Sequence, residues 1–78
     1  MDYFVYAIQS VSRKYIYVGL SNNLERRLRE HNQGKGAATR PYRPFVLLYS
    51  EKCPSRPNAR LREKWLKSGI GKEFLKSL

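Results

Sequence analysis

Cys53 is the only cysteine in this chain, and that limits its fold more than any other feature. One thiol can close no internal disulfide and can build no thiolate zinc site, so the staples of many small domains are excluded. Its expected role is that of a small, partly buried thiol. His31 is likewise the only histidine, which excludes paired-histidine metal sites. A chain of 78 residues must therefore rest on one hydrophobic core, with two or three helices packed against a short sheet in a single domain over 1–78. Any metal has to be held by carboxylate and water.

The apolar pattern fills in that outline. Tyr3 to Gln9 is rich in aromatic and branched residues and reads as a strand, and Tyr15 to Gly19 reads as its hairpin partner. Phe4, Tyr6 and Ile8 alternate with Val5 and Ala7, so both faces of the first strand call for a cover. Asn22 followed by Glu25 resembles a capping box, and Gly34 suits a C′ position, which frames a helix from about 23 to 33. Phe45 to Ser50 reads as a third strand and Pro54 to Pro57 as a break. Asn58 to Ser68 reads as a second helix, ended by Gly69 and Gly71 before a short helical tail. The expected class is α+β, a small three-stranded antiparallel sheet with two to three helices in the order β-β-α-β-α-α.

Charge narrows the partner. Sixteen Lys and Arg stand against six Asp and Glu, a formal net charge of +10, and such a field draws in polyanions before specific contacts form. Nucleic acid is the expected partner. An acidic membrane surface would call for a basic amphipathic helix with a continuous apolar face, or a lipidation signal, and the sequence has neither. No apolar run approaches the ~20 residues of a membrane span. Met1-Asp2-Tyr3 lacks a basic signal-peptide start, so a soluble cytoplasmic protein is expected.

Helical wheels sort the candidate residues. In the first helix Leu24, Arg27, Leu28 and His31 share one stripe, while Glu25, Arg26, Arg29 and Glu30 fall opposite as a solvated face of i,i+4 pairs. Arg27 then either meets an anion at a cleft edge or lays its alkyl stem over the sheet with its head in water. In the second helix Ala59, Leu61, Trp65 and Leu66 are expected to form the apolar face, with Arg62 inside it, Glu63 on its flank and Trp65 as core anchor. On position alone Glu63 reads as the i,i+4 partner of Lys67. The six carboxylates form no DxD or ExE cluster, which argues for one metal or none rather than a two-metal centre. The loop from Gly34 to Pro44 carries Lys35, Arg40 and Arg43 with a hydroxyl and an aromatic ring among small, mobile residues, a composition suited to backbone phosphates.

Phe4-Val5-Tyr6 and Tyr17-Val18-Gly19, then Asn23-Leu24-Glu25-Arg26-Arg27-Leu28 with His31-Asn32, then Ala59 with Arg62-Glu63-Lys64, together resemble the GIY-YIG nuclease family over nearly the whole chain. The chain is similar to the short stand-alone bacterial members related to the N-terminal nuclease domain of the excision-repair endonuclease. The resemblance implies a metal-dependent endonuclease of low sequence specificity, acting on DNA, structured or repair intermediates included. Tyr6 and Tyr17 would flank the scissile phosphate, Arg27 contact it, His31 assist, and Glu63 hold a single Mg²⁺ or Mn²⁺, while Gly19 leaves space beside a tyrosine and lets the chain turn into the helix. Two departures stand out: Phe4 and Val5 replace Gly and Ile, and the asparagine that often follows the metal-binding glutamate is missing after Glu63. A non-catalytic DNA- or RNA-binding module using the same basic cleft is the alternative, and a basic assembly adaptor is a third. With no second domain to read sequence, recognition is expected to follow shape and backbone unless a protein partner supplies more.

Overall fold

A computed structural model describes residues 2–78. Its elements run β1 (Tyr3–Ser10), β2 (Ile16–Ser21), α1 (Leu24–Asn32), a single 3₁₀ turn (Arg40–Tyr42), β3 (Phe45–Cys53), α2 (Arg56–Lys67) and α3 (Gly69–Lys76). The sheet is antiparallel with β1 central, in the order β2-β1-β3. The expected α+β order is therefore the observed one. β3 carries one extra residue where the partner of Ala7 is Tyr49 and that of Ile8 is Leu47, a bulge that re-aims its first half.

Alternation along β1 divides the interior into two layers. Val5 and Ala7 pack with Val18, Cys53, Ala59, Leu66 and Leu75 under α2 and α3. Tyr6 and Ile8 face the other way, with Phe45, Leu24, Leu28, Tyr17 and Tyr42 under α1 and the loop after it. Cys53 is buried in the first layer, and burial pushes its thiol up, away from reactive thiolate. Ser10 holds the hairpin turn: its hydroxyl accepts from the Arg13 N–H at 3.1 Å and donates to the Tyr42 carbonyl at 2.6 Å.

Local details depart from the sequence reading for identifiable reasons. Asn23, not Asn22, is the N-cap of α1, because its side chain accepts from the Arg26 N–H at 3.0 Å, and the third helical position is then Arg26 rather than Glu25, so no capping box forms. Helix α2 begins before Asn58: Ser55 caps it and Pro57 sits in its first turn, where a missing N–H costs nothing. Leu61 is 65% exposed rather than apolar-face, since two steps of 100° carry it to the side opposite buried Ala59. Ser68 closes α2 and also caps α3 through the Gly71 N–H at 3.2 Å, so Gly69 and Gly71 lie inside a third helix instead of ending the second.

Candidate active site

Tyr6 leaves the central strand toward α1, and His31 approaches it from the last turn of that helix, each only 1% exposed. Pairing Tyr6 with Gly19 and Ile8 with Tyr17 gives the register whose residue numbers sum to an odd value, which puts both tyrosines on one face. The Tyr6 hydroxyl lies 2.9 Å from His31 Nε2, and His31 Nδ1 lies 2.9 Å from the Thr39 hydroxyl. Thr39 directs its own proton to the Gly36 carbonyl at 3.4 Å, so its oxygen accepts from Nδ1–H. That assigns the tautomer with a lone pair on Nε2, where Tyr6 donates. Tyr17 completes the group, its ring centre 4.9 Å from the imidazole and 6.3 Å from Tyr6.

Gly19 is what lets two rings meet over the strand. A Cβ there would stand 2.7 Å from the Tyr6 hydroxyl oxygen and 3.0 Å from Cε2 of Tyr17. The requirement is space beside the rings and not a turn into the helix, because β2 runs on to Ser21.

Arg27 lies on the same stripe one turn before His31, and its positive guanidinium favours the charged phenolate form of Tyr6. It is neither unpartnered nor wholly in water. Nη1 donates to Glu30 at 2.8 Å, and Arg26 approaches the same carboxylate at 3.8 Å. Glu30 thus leaves the purely solvated face expected of it, because at i+3 it stands close enough to reach back to Arg27. The Arg27 hydrogen bond holds its carboxyl below the usual range.

Burial raises the Tyr6 pKa, and the opposing pull of Arg27 does not cancel it. Burial first, then the charge of Arg27, lowers that of His31. At neutral pH the pair is therefore a protonated phenol beside an uncharged imidazole.

Glu63 stands on the flank of α2 with its side chain 17% exposed, 3.3 Å from Lys67 Nζ, and its charge is felt at Tyr6. The i,i+4 contact read from position is present. Among the described residues no three His, Cys, Asp or Glu side chains gather into a metal cluster. One carboxylate suits Mg²⁺, a hard ion that usually keeps several waters and takes its remaining oxygens from substrate phosphate. The residues present therefore fit a single divalent ion held at Glu63.

The loop after α1 is braced by contacts of its own. Gly34 has φ +80°, and a Cβ there would run into the Arg43 guanidinium, while Arg40 Nε donates to the Gly34 carbonyl at 2.8 Å. Tyr42 is stacked on Tyr15 at 3.9 Å. Lys35, Arg40 and Arg43 remain exposed around this frame. Trp65 is half-buried on the opposite layer, below Arg62 at 4.7 Å and beside Phe74, away from the tyrosine group.

Three contributors escaped the sequence reading. Thr39 fixes the imidazole, Glu30 tethers Arg27, and Asn32 clamps the start of β3 through the Phe45 N–H at 2.6 Å and its carbonyl at 3.2 Å. Thr39 and Asn32 act through tertiary contact, whereas Glu30 lies i,i+3 from Arg27 on one helix, a spacing the sequence does offer.

A tyrosine pair on a hairpin, an arginine and histidine one turn apart on the next helix, and a glutamate on the following one define a GIY-YIG-type catalytic domain. The profile of the "GIY-YIG catalytic domain" matches residues 2–73, and the chain belongs to that family. It is 35% identical over 77 residues to UPF0213 protein SH2523 of Staphylococcus haemolyticus, covering 97% of this chain and 93% of that protein. It is 43% identical over 63 residues to UPF0213 protein DP2720 of Desulfotalea psychrophila, covering 78% of this chain and 56% of that protein's length. The solution NMR structure of UPF0213 protein BH0048 from Bacillus halodurans superimposes with a TM-score of 0.58 at 34% identity, over 99% of this chain and 84% of that one. No helix among the described residues is long and apolar enough to cross a membrane.

Proposed function

We propose that the chain is a metal-dependent phosphodiester hydrolase acting on DNA, with Tyr6, Tyr17, Arg27, His31 and Glu63 as its catalytic group. The observation that carries this reading is the chain of hydrogen bonds from Tyr6 through His31 to Thr39, set beside Arg27. A buried phenol with a raised pKa is a poor standing base, but one that donates to a neutral imidazole can relay a proton. As water attacks phosphorus, the Tyr6 oxygen takes the water's proton while the phenol proton passes to Nε2. His31 becomes imidazolium and keeps its Nδ1–H on Thr39. The new P–O bond forms as the ester P–O bond breaks.

Arg27 faces the charge that develops on the non-bridging oxygens, and Glu30 keeps its guanidinium in place. Glu63 would hold a single Mg²⁺ or Mn²⁺, which when bound supplies positive charge for the phosphate oxygens. Lys35, Arg40 and Arg43, exposed around the ordered loop, are positioned to neutralise flanking phosphates without reading bases.

The test is cleavage of labelled single-stranded, duplex, flapped and branched substrates with Mg²⁺, Mn²⁺ or EDTA. Metal-dependent products from the wild type, lost in Arg27→Ala and Glu63→Ala while Glu63→Ala still binds, are expected. Tight binding with no cutting under every condition would refute hydrolysis and leave a DNA- or RNA-binding module on the same cleft.

A further inference from the structure

The basic side chains of the loop after α1 do not account for all of the positive surface. Along the free edge of β2, on the side away from β1, a groove of about 810 Å³ opens between that strand and the ends of α2 and α3. Its lysines come from three places in the chain: Lys14 in the hairpin turn, Lys67 at the end of α2, and Lys72 and Lys76 on α3. Among the described residues no carboxylate lines it. Lys72 and Lys76 are spaced i,i+4, one above the other on one side of their helix.

The walls are of two kinds. Ile16 makes a part-exposed apolar floor over Val18, Leu66 and Leu75, which the core already buries, and Tyr15 and Tyr17 stand at its strand side. An edge strand also leaves a row of backbone N–H and C=O groups without a sheet partner. A duplex presents mainly phosphates to a groove of this kind and has no use for an apolar floor. An unpaired strand presents phosphates to the lysines and base or sugar faces to the floor and rings.

Two residues join this groove to the candidate active site. Tyr17 lines the groove and lies 4.9 Å from the His31 ring, and Lys67 lines it while holding Glu63 at 3.3 Å. We infer that the groove along the β2 edge binds an unpaired nucleic-acid strand that continues from the phosphate held at the tyrosine and arginine group. The inference rests on the nucleic-acid reading of that group, and it adds that the substrate has a single-stranded flank.

The experiment measures binding by fluorescence anisotropy from 50 to 200 mM salt, using a labelled blunt duplex and the same duplex with a single-stranded extension. Lys72→Gln/Lys76→Gln is compared with the wild type and with Lys52→Gln/Arg56→Gln, which removes two exposed charges outside the groove. Losing two single-strand phosphate contacts makes the slope of log K against log salt shallower by about 1.4, since each contributes roughly 0.7. Over that salt range the wild type should then lose about sevenfold more affinity for the extended duplex than the groove variant does.

The Lys52/Arg56 variant should keep most of the wild-type slope, and blunt duplex should not distinguish the groove variant from it. Equal slopes for the groove variant and the wild type on the extended duplex overturn the groove, as does an equal change in both double variants. Cleavage by the same proteins is a separate readout, so products from a groove variant with wild-type salt dependence would refute this inference and leave the hydrolase reading intact.

Discussion

Gly19→Ala is the sharpest perturbation of the proposed site, because one methyl group is placed between its two rings. The added Cβ would stand 2.7 Å from the Tyr6 oxygen and 2.9 Å from Cζ, whereas comfortable contact begins at about 3.5 Å. Tyr6 must move by roughly 0.7 Å, and it is a stiff ring on a buried central strand rather than a mobile surface chain. A shift of that size takes the 2.9 Å bond to His31 out of range or forces the helix to follow. Overpacking of this kind costs about 1–3 kcal/mol, offset by the ~0.4–1 kcal/mol that alanine gains by restricting the unfolded chain. A net loss of about 1–2 kcal/mol lowers Tm by roughly 5–15 °C for a domain of this size. Displacement of a reacting group approaching 1 Å costs on the order of 10²-fold in rate. Thermal unfolding by circular dichroism and single-turnover cleavage read the two effects. Gly69→Ala is the control, since nothing lies within 4 Å of a Cβ there. A Gly19→Ala protein that melts and cleaves like the wild type would show that Tyr6 is not confined as described.

The remaining predictions test separate links. Because burial lowers the His31 pKa, the rate should be flat above neutrality and fall tenfold per pH unit once the pH drops below that depressed value; a limb starting above pH ~6.5 would refute the neutral acceptor. The linked stability has the same sign: unfolded histidine takes a proton near ~6.5 and folded His31 resists it, so stability is full above that pH and declines by up to about 1.4 kcal/mol per unit below it, down to the folded pKa. His31→Gln should remove this contribution in denaturant titrations across pH 5–7, a range about the imidazole reference value. Thr39→Val keeps shape but leaves Nδ1–H without its acceptor, costing about 1–3 kcal/mol and shifting the imidazole ¹⁵N signals that report the tautomer; unchanged signals would remove Thr39 as the residue that positions His31. Arg62→Met breaks a two-point contact with Glu51, at 2.8 and 3.2 Å, on the layer away from the site. With Arg62 39% exposed, about 1 kcal/mol of stability should be lost after solvent screening, with cleavage unchanged, and a large loss of cleavage would place that contact within the catalytic system.

What the sequence disclosed depended on whether a local period decided the matter. Alternation along β1 separates Tyr6 and Ile8 from Val5 and Ala7, and the structure puts those sets into different layers. The 100° spacing likewise groups Leu24, Arg27, Leu28 and His31, which face the sheet or its edge. Where two neighbouring residues could serve equally, local pattern could not choose: Asn22 and Asn23 are both competent N-caps, and only the chain's exit from β2 at Ser21 selects the second. Ser21 fixes that exit by donating to the Asn23 carbonyl at 3.1 Å and accepting from the Asn23 N–H at 3.0 Å.

Period alone says nothing about contacts that close through a loop or between distant elements. Thr39 reaches His31 because Gly34 turns the chain back at the end of α1 and Arg40 latches onto the Gly34 carbonyl. On a sequence that threonine is one hydroxyl among loop residues. The β2-edge groove is more remote still, since Lys14 meets Lys72 and Lys76 only after the sheet has formed and Ser68 has turned the chain from α2 into α3. The same folding step places Lys67 between Glu63 and the groove. Occupation of the groove by a strand and the charge balance at Glu63 should therefore be coupled: a phosphate that draws Lys67 away frees the carboxylate for a cation. Mg²⁺ affinity, followed by isothermal titration on the protein bound to a non-cleavable single-stranded analogue, should exceed that of the free protein, and Lys67→Gln should erase most of the difference. Equal enhancement in Lys67→Gln would mean that phosphate oxygens alone provide it, and that Lys67 carries no signal between the two sites.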